Sequence, residues 1–201
     1  MTRVEKVLGD VAAALAARER RYALIGGFAV SSRTEPRFTR DVDWAVAVQN
    51  DAEAESVVHG LVAAGYAILM TVEQDETHRL ATVRLLPPGE PPTGVVADLL
   101  FASSGIEPEL VDAADAMEIL PGIVLPVAKV GHLIALKVLS AVPSRPQDVA
   151  DLRALAGVAS ATDLDLAKQA LALIEARGFA RGKRLLVEFE RLVTEGVLNH
   201  A

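Results

Sequence analysis

The reading of the fold turns on Ile25-Gly-Gly-Phe-Ala-Val30 and, seven residues later, Arg37-Phe-Thr-Arg-Asp-Val-Asp-Trp44. Val42, Trp44, Val46 and Val48 alternate with Asp41, Asp43, Ala45 and Ala47, so a strand over 42–48 buries the first set and leaves both aspartates on the other face. At a rise of about 3.3 Å per residue the two carboxylates lie about 6–7 Å apart, close enough to converge on one or two divalent cations. Like charges at that spacing need a counter-ion. Mg²⁺ supplies one, and it favours hard oxygen ligands together with waters and phosphates. Upstream, Arg21-Tyr-Ala-Leu-Ile25 reads as a short buried strand ending at Gly26-Gly27, where the run from Phe28 opens a helix. Glycines at such a turn permit unusual φ values and bring backbone N–H groups to phosphate oxygens at the positive helix end.

A D-x-D pair is weak evidence alone, and the chain contains a second one. Thr162-Asp163-Leu-Asp165 precedes the helical pattern 166–177, where the aspartates read as a cap and a first-turn acid. The pair at 41 and 43 differs in context: it lies on a strand, follows a Gly-Gly turn and has a candidate third acid. Pro92-Thr-Gly-Val-Val-Ala-Asp-Leu-Leu-Phe101 is a β-rich run carrying Asp98 in its middle, where an unpaired carboxylate is costly to bury.

These motifs, G-G-x-A-V, R-x-T-x-D-x-D and a distal strand Asp, resemble the nucleotidyltransferase fold of DNA polymerase beta, kanamycin nucleotidyltransferase and the AbiEii-type toxins. His132-Leu-Ile-Ala-Leu-Lys137 and Arg145-Pro-Gln-Asp148-Val-Ala-Asp151-Leu are most similar to the L-x-x-x-K and R-x-x-D-x-x-D-L motifs of the AbiEii-type proteins. The resemblance covers roughly residues 20–155. It implies a metal-binding role for Asp41, Asp43 and Asp98, with Asp98 helping to deprotonate the acceptor hydroxyl. It assigns nucleotide contacts to Gly26, Gly27, Arg37, Thr39, Arg40, Lys137 and Asp148. The kanamycin-type pattern carries Gly-Ser where this chain has Gly-Gly, and Ser31 or Ser32 is the candidate replacement for that hydroxyl.

Lys137 shares one stripe of a predicted helix over 129–140 with Val130, Leu133 and Ile134, so its ammonium leaves an apolar face. A snorkelling stem is the plain alternative to a phosphate contact. Ser144-Arg-Pro-Gln147 reads as a capping box that places Asp148 in a helix first turn. Its plain role is helix-dipole stabilisation. The resemblance instead makes Asp148 and Asp151 neighbours of the site and partners of Lys137 or Arg145.

The chain has 201 residues, 51% hydrophobic and 23% charged, enough for one core or for a catalytic domain with an appendage. Absence of cysteine excludes disulfides, thiolate metal sites and cysteine nucleophiles. No segment suits a signal peptide or a membrane span, so a soluble, cytoplasmic protein is expected. The net charge of −7 repels nucleic acid at long range, while Arg33, Arg37 and Arg40 cluster around the expected site. A second basic group, Arg177, Arg181, Lys183 and Arg184, reads as solvated helix ends. Aromatic residues make up only 4%, too few for a base-stacking platform. His59, His78, His132 and His200 lack metal-ligand spacing; His78 and Arg79 precede the Asp98 strand and are candidates to flank the pocket.

Periodicity predicts helix 3–20, strand 21–26, helix 28–34, strand 41–48, helix 51–64, strands 66–72, 78–86 and 94–101, and short strands near 116–127. Helices 129–140, 145–156, 163–177 and 180–196 follow. The expected fold is α/β (α+β): a mixed, nucleotidyltransferase-like sheet flanked by helices over 1–128, then a helical domain over 129–201. The expected activity is Mg²⁺-dependent transfer of a nucleoside monophosphate from an NTP to an acceptor hydroxyl. Following the resemblance, the acceptor is tRNA or another cellular target and the partner a cognate antitoxin. The alternatives are an aminoglycoside-like small-molecule acceptor and a nucleotide-binding module without turnover.

Overall fold

A computed structural model describes residues 2–39, 41–142 and 144–198. Arg40 and His200 lie outside the described residues. The order is α1 (Arg3–Ala16), β1 (Tyr22–Ile25), α2 (Gly26–Arg33), β2 (Asp41–Val46), α3 (Asp51–Ala63), β3 (Ala67–Glu73), β4 (Leu80–Leu86) and β5 (Val96–Leu100). There follow α4 (Glu107–Asp112), β6 (Asp115–Leu120), β7 (Ile123–Val127), α5 (Val130–Ser140), α6 (Pro146–Ala156), α7 (Ala161–Ala176) and α8 (Leu185–Thr194). The strands form one mixed sheet in the order β3-β4-β5-β2-β1-β7-β6, with helices around it. This is the expected α/β class.

β2 lies inside the sheet, antiparallel to β1 and parallel to β5. Its apolar face carries Val42, Trp44 and Val46, all fully buried. Trp44 meets Tyr22 edge-on at a centroid distance of 5.5 Å, which fixes the β1–β2 pair from the core side. With that face committed to the core, period-two geometry sends Asp41 and Asp43 to the other side. α1 buries Val7, Leu8, Val11, Ala12 and Leu15 along one stripe, so the alanine-rich N-terminus is an amphipathic helix of the fold.

Several boundaries differ from the periodic reading, each for a local reason. α7 begins at Ala161 because Ser160 is the N-cap: its Oγ accepts the Asp163 N–H, and Asp163 accepts the Ser160 N–H in return. Asp163 is therefore an N3 acid rather than the cap. The expected capping box at Ser144–Gln147 does not form; Arg145 is the N-cap, Pro146 opens α6, and Gln147 donates to Asp151 at 3.1 Å. α8 starts five residues late because Gly178, Arg181 and Gly182 all have positive φ, which interrupts a helix. α4 is too short, at six residues, for periodicity to reveal.

Trp44→Ala should cost about 3–5 kcal/mol of stability, the usual range for emptying a large buried aromatic site. Urea denaturation followed by far-UV circular dichroism reads the shift.

Candidate active site

β-Sheet register assembles the site. Ile25 of β1 pairs with Asp43 of β2, Asp43 with Asp98 of β5, and Asp98 with Arg84 of β4, giving one row across four strands. Directly paired residues share a face, and neighbouring strands run about 4.8 Å apart. All four line a cleft of about 790 Å³, together with Gly26, Gly27, Arg37, Thr39, Asp41, Lys137 and Asp148. The sequence-predicted acids thus meet in one cavity.

The Gly-Gly turn is required by contact as well as by conformation. Gly26 has φ of +63°, and a Cβ there would overlap the Asp43 carboxylate. A Cβ on Gly27 would come within 2.9 Å of both the Arg37 guanidinium and the Thr39 hydroxyl. The Gly27 N–H in turn donates to Asp43. α2 begins at Gly26 itself, so the backbone donors of its first turn lie beside the acids.

Asp43 is raised to about 7, first by burial, then by the charges of Asp98 and Asp41; Lys137 and the Gly27 N–H oppose the shift. Arg84, which the sequence reading passed over, answers part of this repulsion. Its Nε and Nη2 grip Asp98 at 2.8 and 2.6 Å, and Nη2 reaches Asp41 at 3.4 Å. Its hydrogen bonds to Asp98 in turn raise its pKa. Strand pairing could have found it only if the β4–β5 register had been known. Among the described residues no three acids or histidines already form a metal cage. The donor set of three carboxylates, one of them the half-buried, protonation-prone Asp43, nevertheless suits a hard divalent cation.

A second ion network closes the cleft from the helical side. Lys137 on α5 bonds Asp148 and Asp151 on α6, each at 2.8 Å. Arg37 donates to Asp151 from Nε and Nη2 at 2.7 and 2.8 Å, and with Lys137 lowers its pKa against the effect of burial. Lys137 is therefore paired rather than a free snorkelling head, and the acids are its partners, not those of Arg145. One oxygen of Asp148 is buried without a partner.

Other expected neighbours lie elsewhere. Ser31 accepts the Arg37 N–H at 3.3 Å and Ser32 donates to the Ala29 carbonyl, so neither hydroxyl lines the cleft. Arg33 is spent on Asp115 and on the Val127 and Ala128 carbonyls, tying α2 to β6 and β7 rather than clustering with Arg37. Arg79 bonds Asp51 and lines a separate cavity of about 590 Å³, while exposed His78 faces Glu73. Arg181 does line the cleft, so that basic group is not simply a set of solvated helix ends.

A family profile described as "Nucleotidyl transferase AbiEii toxin, Type IV TA system" matches residues 10–198. The chain belongs to this family. Members are nucleotidyltransferases of toxin–antitoxin systems, and the AbiEii-family chain is accordingly an enzyme of that class. An antigenic nucleotidyltransferase-like protein from Paracoccidioides brasiliensis is similar in structure, with a TM-score of 0.52 at 17% identity over 92% of this chain and 91% of that one. The antibiotic-resistance factor ANT(2'')-Ia is similar at a TM-score of 0.51 and 14% identity, over 94% and 92% of the two chains. Both likenesses concern the fold. A search of curated proteins gives no match. No helix among the described residues is long and apolar enough to cross a membrane.

The Asp43 shift sets a pH dependence. Unfolded, this carboxyl has a pKa of about 3.9; folded and without metal it titrates at about 7. The folded state therefore holds the proton more tightly, and Asp43's contribution to stability is full below the unfolded pKa and lost as pH rises through 7. The stability difference between wild type and Asp43→Asn should change across that window, with the variant gaining relative to wild type toward neutral pH. Denaturant midpoints at a series of pH values, in chelator, check it.

Proposed function

We propose that this protein transfers a nucleoside monophosphate from a Mg²⁺-bound NTP to an acceptor hydroxyl, releasing pyrophosphate. The observation that carries the reading is the row of Asp43 and Asp98 on adjacent strands, with Asp41 beside them and the Gly26-Gly27 turn at the edge of the same cleft. Asp41, Asp43 and Asp98 would hold the divalent metal, which when bound supplies charge stabilisation for the attacking and leaving oxygens. Gly26 and Gly27 offer backbone N–H groups to the triphosphate at the start of α2. Thr39 borders that turn through Gly27 and adds a hydroxyl. Lys137, held between Asp148 and Asp151, presents its ammonium at a defined place in the cleft, where it favours developing negative charge. Asp98 is the acid placed to take the proton from the acceptor hydroxyl once Arg84 turns away from it.

The family supports a cognate antitoxin for this chain, and the acceptor we propose is a cellular nucleic acid such as tRNA. Incubation with each α-labelled NTP, Mg²⁺ and either total RNA or an aminoglycoside panel identifies the acceptor by which fraction takes up label. Asp41→Asn and Asp43→Asn should each lower transfer by at least about a thousandfold, in keeping with electrostatic terms of several kcal/mol. Binding of Mg-NTP by wild type with no pyrophosphate released would instead indicate a binding module.

Arg84 competes with the metal for the same carboxylates. Arg84→Met should therefore tighten Mn²⁺ binding about tenfold while lowering the thermal midpoint of the metal-free protein. Electron paramagnetic resonance of free Mn²⁺ and a thermal melt in chelator read the two effects.

A further inference from the structure

The cleft has a second end, which carries two arginines. Gly26 lies where β1 ends beside the Asp41 end of β2, whereas Ser103 and Ser104 follow the opposite, C-terminal end of the β5 strand that runs parallel to β2. Ser103 lies five positions beyond Asp98, in the bend that follows β5. Arg181 and Arg145 line the cleft with these serines.

Arg181 is held in place by a chain of contacts. Its backbone has φ of +56°, a left-handed conformation that costs a non-glycine residue about 1–2 kcal/mol. Its Nη2 donates to the Ser103 carbonyl at 3.1 Å and hydroxyl at 3.0 Å. The Ser103-Ser104 loop is fixed in turn by Glu107, only 2% exposed, which accepts both backbone N–H groups and the Ser104 hydroxyl. On the other flank the Gly182 N–H donates to Glu76 at 3.2 Å.

Charge at this end is not balanced by contact. Arg37, Arg84 and Lys137 each hold carboxylates, but among the described residues the only side-chain partners of Arg181 are the two Ser103 oxygens. Arg145, the N-cap of α6, has no side-chain partner among them. Burial lowers the Arg181 pKa and Arg145 lowers it further, while Glu107 and Asp75 oppose the shift through space without bonding the guanidinium. Two guanidiniums that no carboxylate hydrogen-bonds keep donors free for an anion with several oxygens, above all phosphate.

We infer that Arg181 and Arg145 form a second anion station, distinct from the diglycine turn, that receives a phosphate group carried by the acceptor. The inference rests on the nucleotidyl-transfer reading for the identity of the acceptor, although the station itself is read from its own contacts. Glu73, Asp75 and Glu76 also line this part of the cleft and would draw a cationic acceptor. Glu73 is exposed and faces His78, so solvent screens its pull, whereas Asp75 and Glu76, the latter held by the Gly182 N–H, stay near Arg181 and are the groups an anion must compete with.

Titration calorimetry of wild type, Arg181→Met and Arg181→Lys against four probes tests it: Mg-ATP, octa-adenylate, glucose 6-phosphate and tobramycin. Wild type is expected to bind octa-adenylate or glucose 6-phosphate, the responding probe telling a diester chain from a small monoester. Arg181→Met should weaken that binding about tenfold, with Arg181→Lys recovering most of it and Mg-ATP unchanged within twofold. If octa-adenylate responds, the slope of log affinity against log salt should fall by about 0.7 for the one lost contact. Ser103→Ala, which alters the support and not the charge, should keep phosphate binding within threefold. Equal weakening of Mg-ATP would assign Arg181 to the donor nucleotide, and unaltered binding of every probe would leave it a loop tie; either overturns the inference. So does binding of tobramycin with neither phosphate probe bound. These titrations need no turnover, so loss of the transfer reading and loss of the station are told apart.

Discussion

The parallel pairing of β2 with β5 sets Asp43 directly opposite Asp98, and much of the rest of the cleft answers that one apposition. Two carboxylates on adjacent strands repel, and Asp41 adds a third negative group one pleat away. Without metal the molecule relieves the strain in two ways. Asp43 holds a proton up to about neutral pH, and Arg84 spans Asp98 and Asp41 from the next strand. The Gly26 backbone approaches Asp43 so closely that no side chain fits between them. Any group seated on that turn would therefore lie against the acids.

The second constraint joins the sheet to the helices that follow it. Asp151 is almost fully buried and receives Arg37 from the loop before β2, Lys137 from α5 and Gln147 from its own helix. Burying such a group costs several kcal/mol unless it is fully hydrogen-bonded, and here both of its oxygens are. Removing Arg37 leaves Asp151 with Lys137 alone, and removing Lys137 takes away the cation that Asp148 and Asp151 share. The network therefore holds the R-x-T segment and the ammonium of Lys137 in fixed relation. It is a positioning device that links the strand carrying the acids to the helices carrying the lysine. The apolar core runs on without a break beneath it, from Leu8 and Trp44 through Ile134 to Phe189.

How much of this was legible in the chain follows from the range of each interaction. The alternation around Asp41 and Asp43 is local and period-two, so one strand face could be read directly. Gly26-Gly27 was legible as a turn, but its necessity was not, because the group that excludes a Cβ there is Asp43, seventeen residues from Gly26. Arg84 escaped notice because an arginine within a strand looks like any solvent-facing residue until its cross-strand partner is known. Arg33 and Arg181 were misplaced for the same reason in opposite directions: one was drawn into the site by sequence proximity and belongs to β6 and β7, the other was set aside as a helix end and lines the cleft. The helix boundaries at Ser160 and Arg181 depended on caps and positive φ, which hydrophobic periodicity does not report.

By itself, then, the chain determined its fold class, most of its elements and its family, because alternation, glycine turns and short spaced motifs are properties of neighbouring residues. Only the tertiary structure decided which cations face the acids of the cleft and which helix acids hold Lys137. It also decided where the cleft ends. Register across four strands and the docking of α5 and α6 bring together groups far apart in the chain, and long-range electrostatic pairing of that kind leaves no periodic trace in the order of residues.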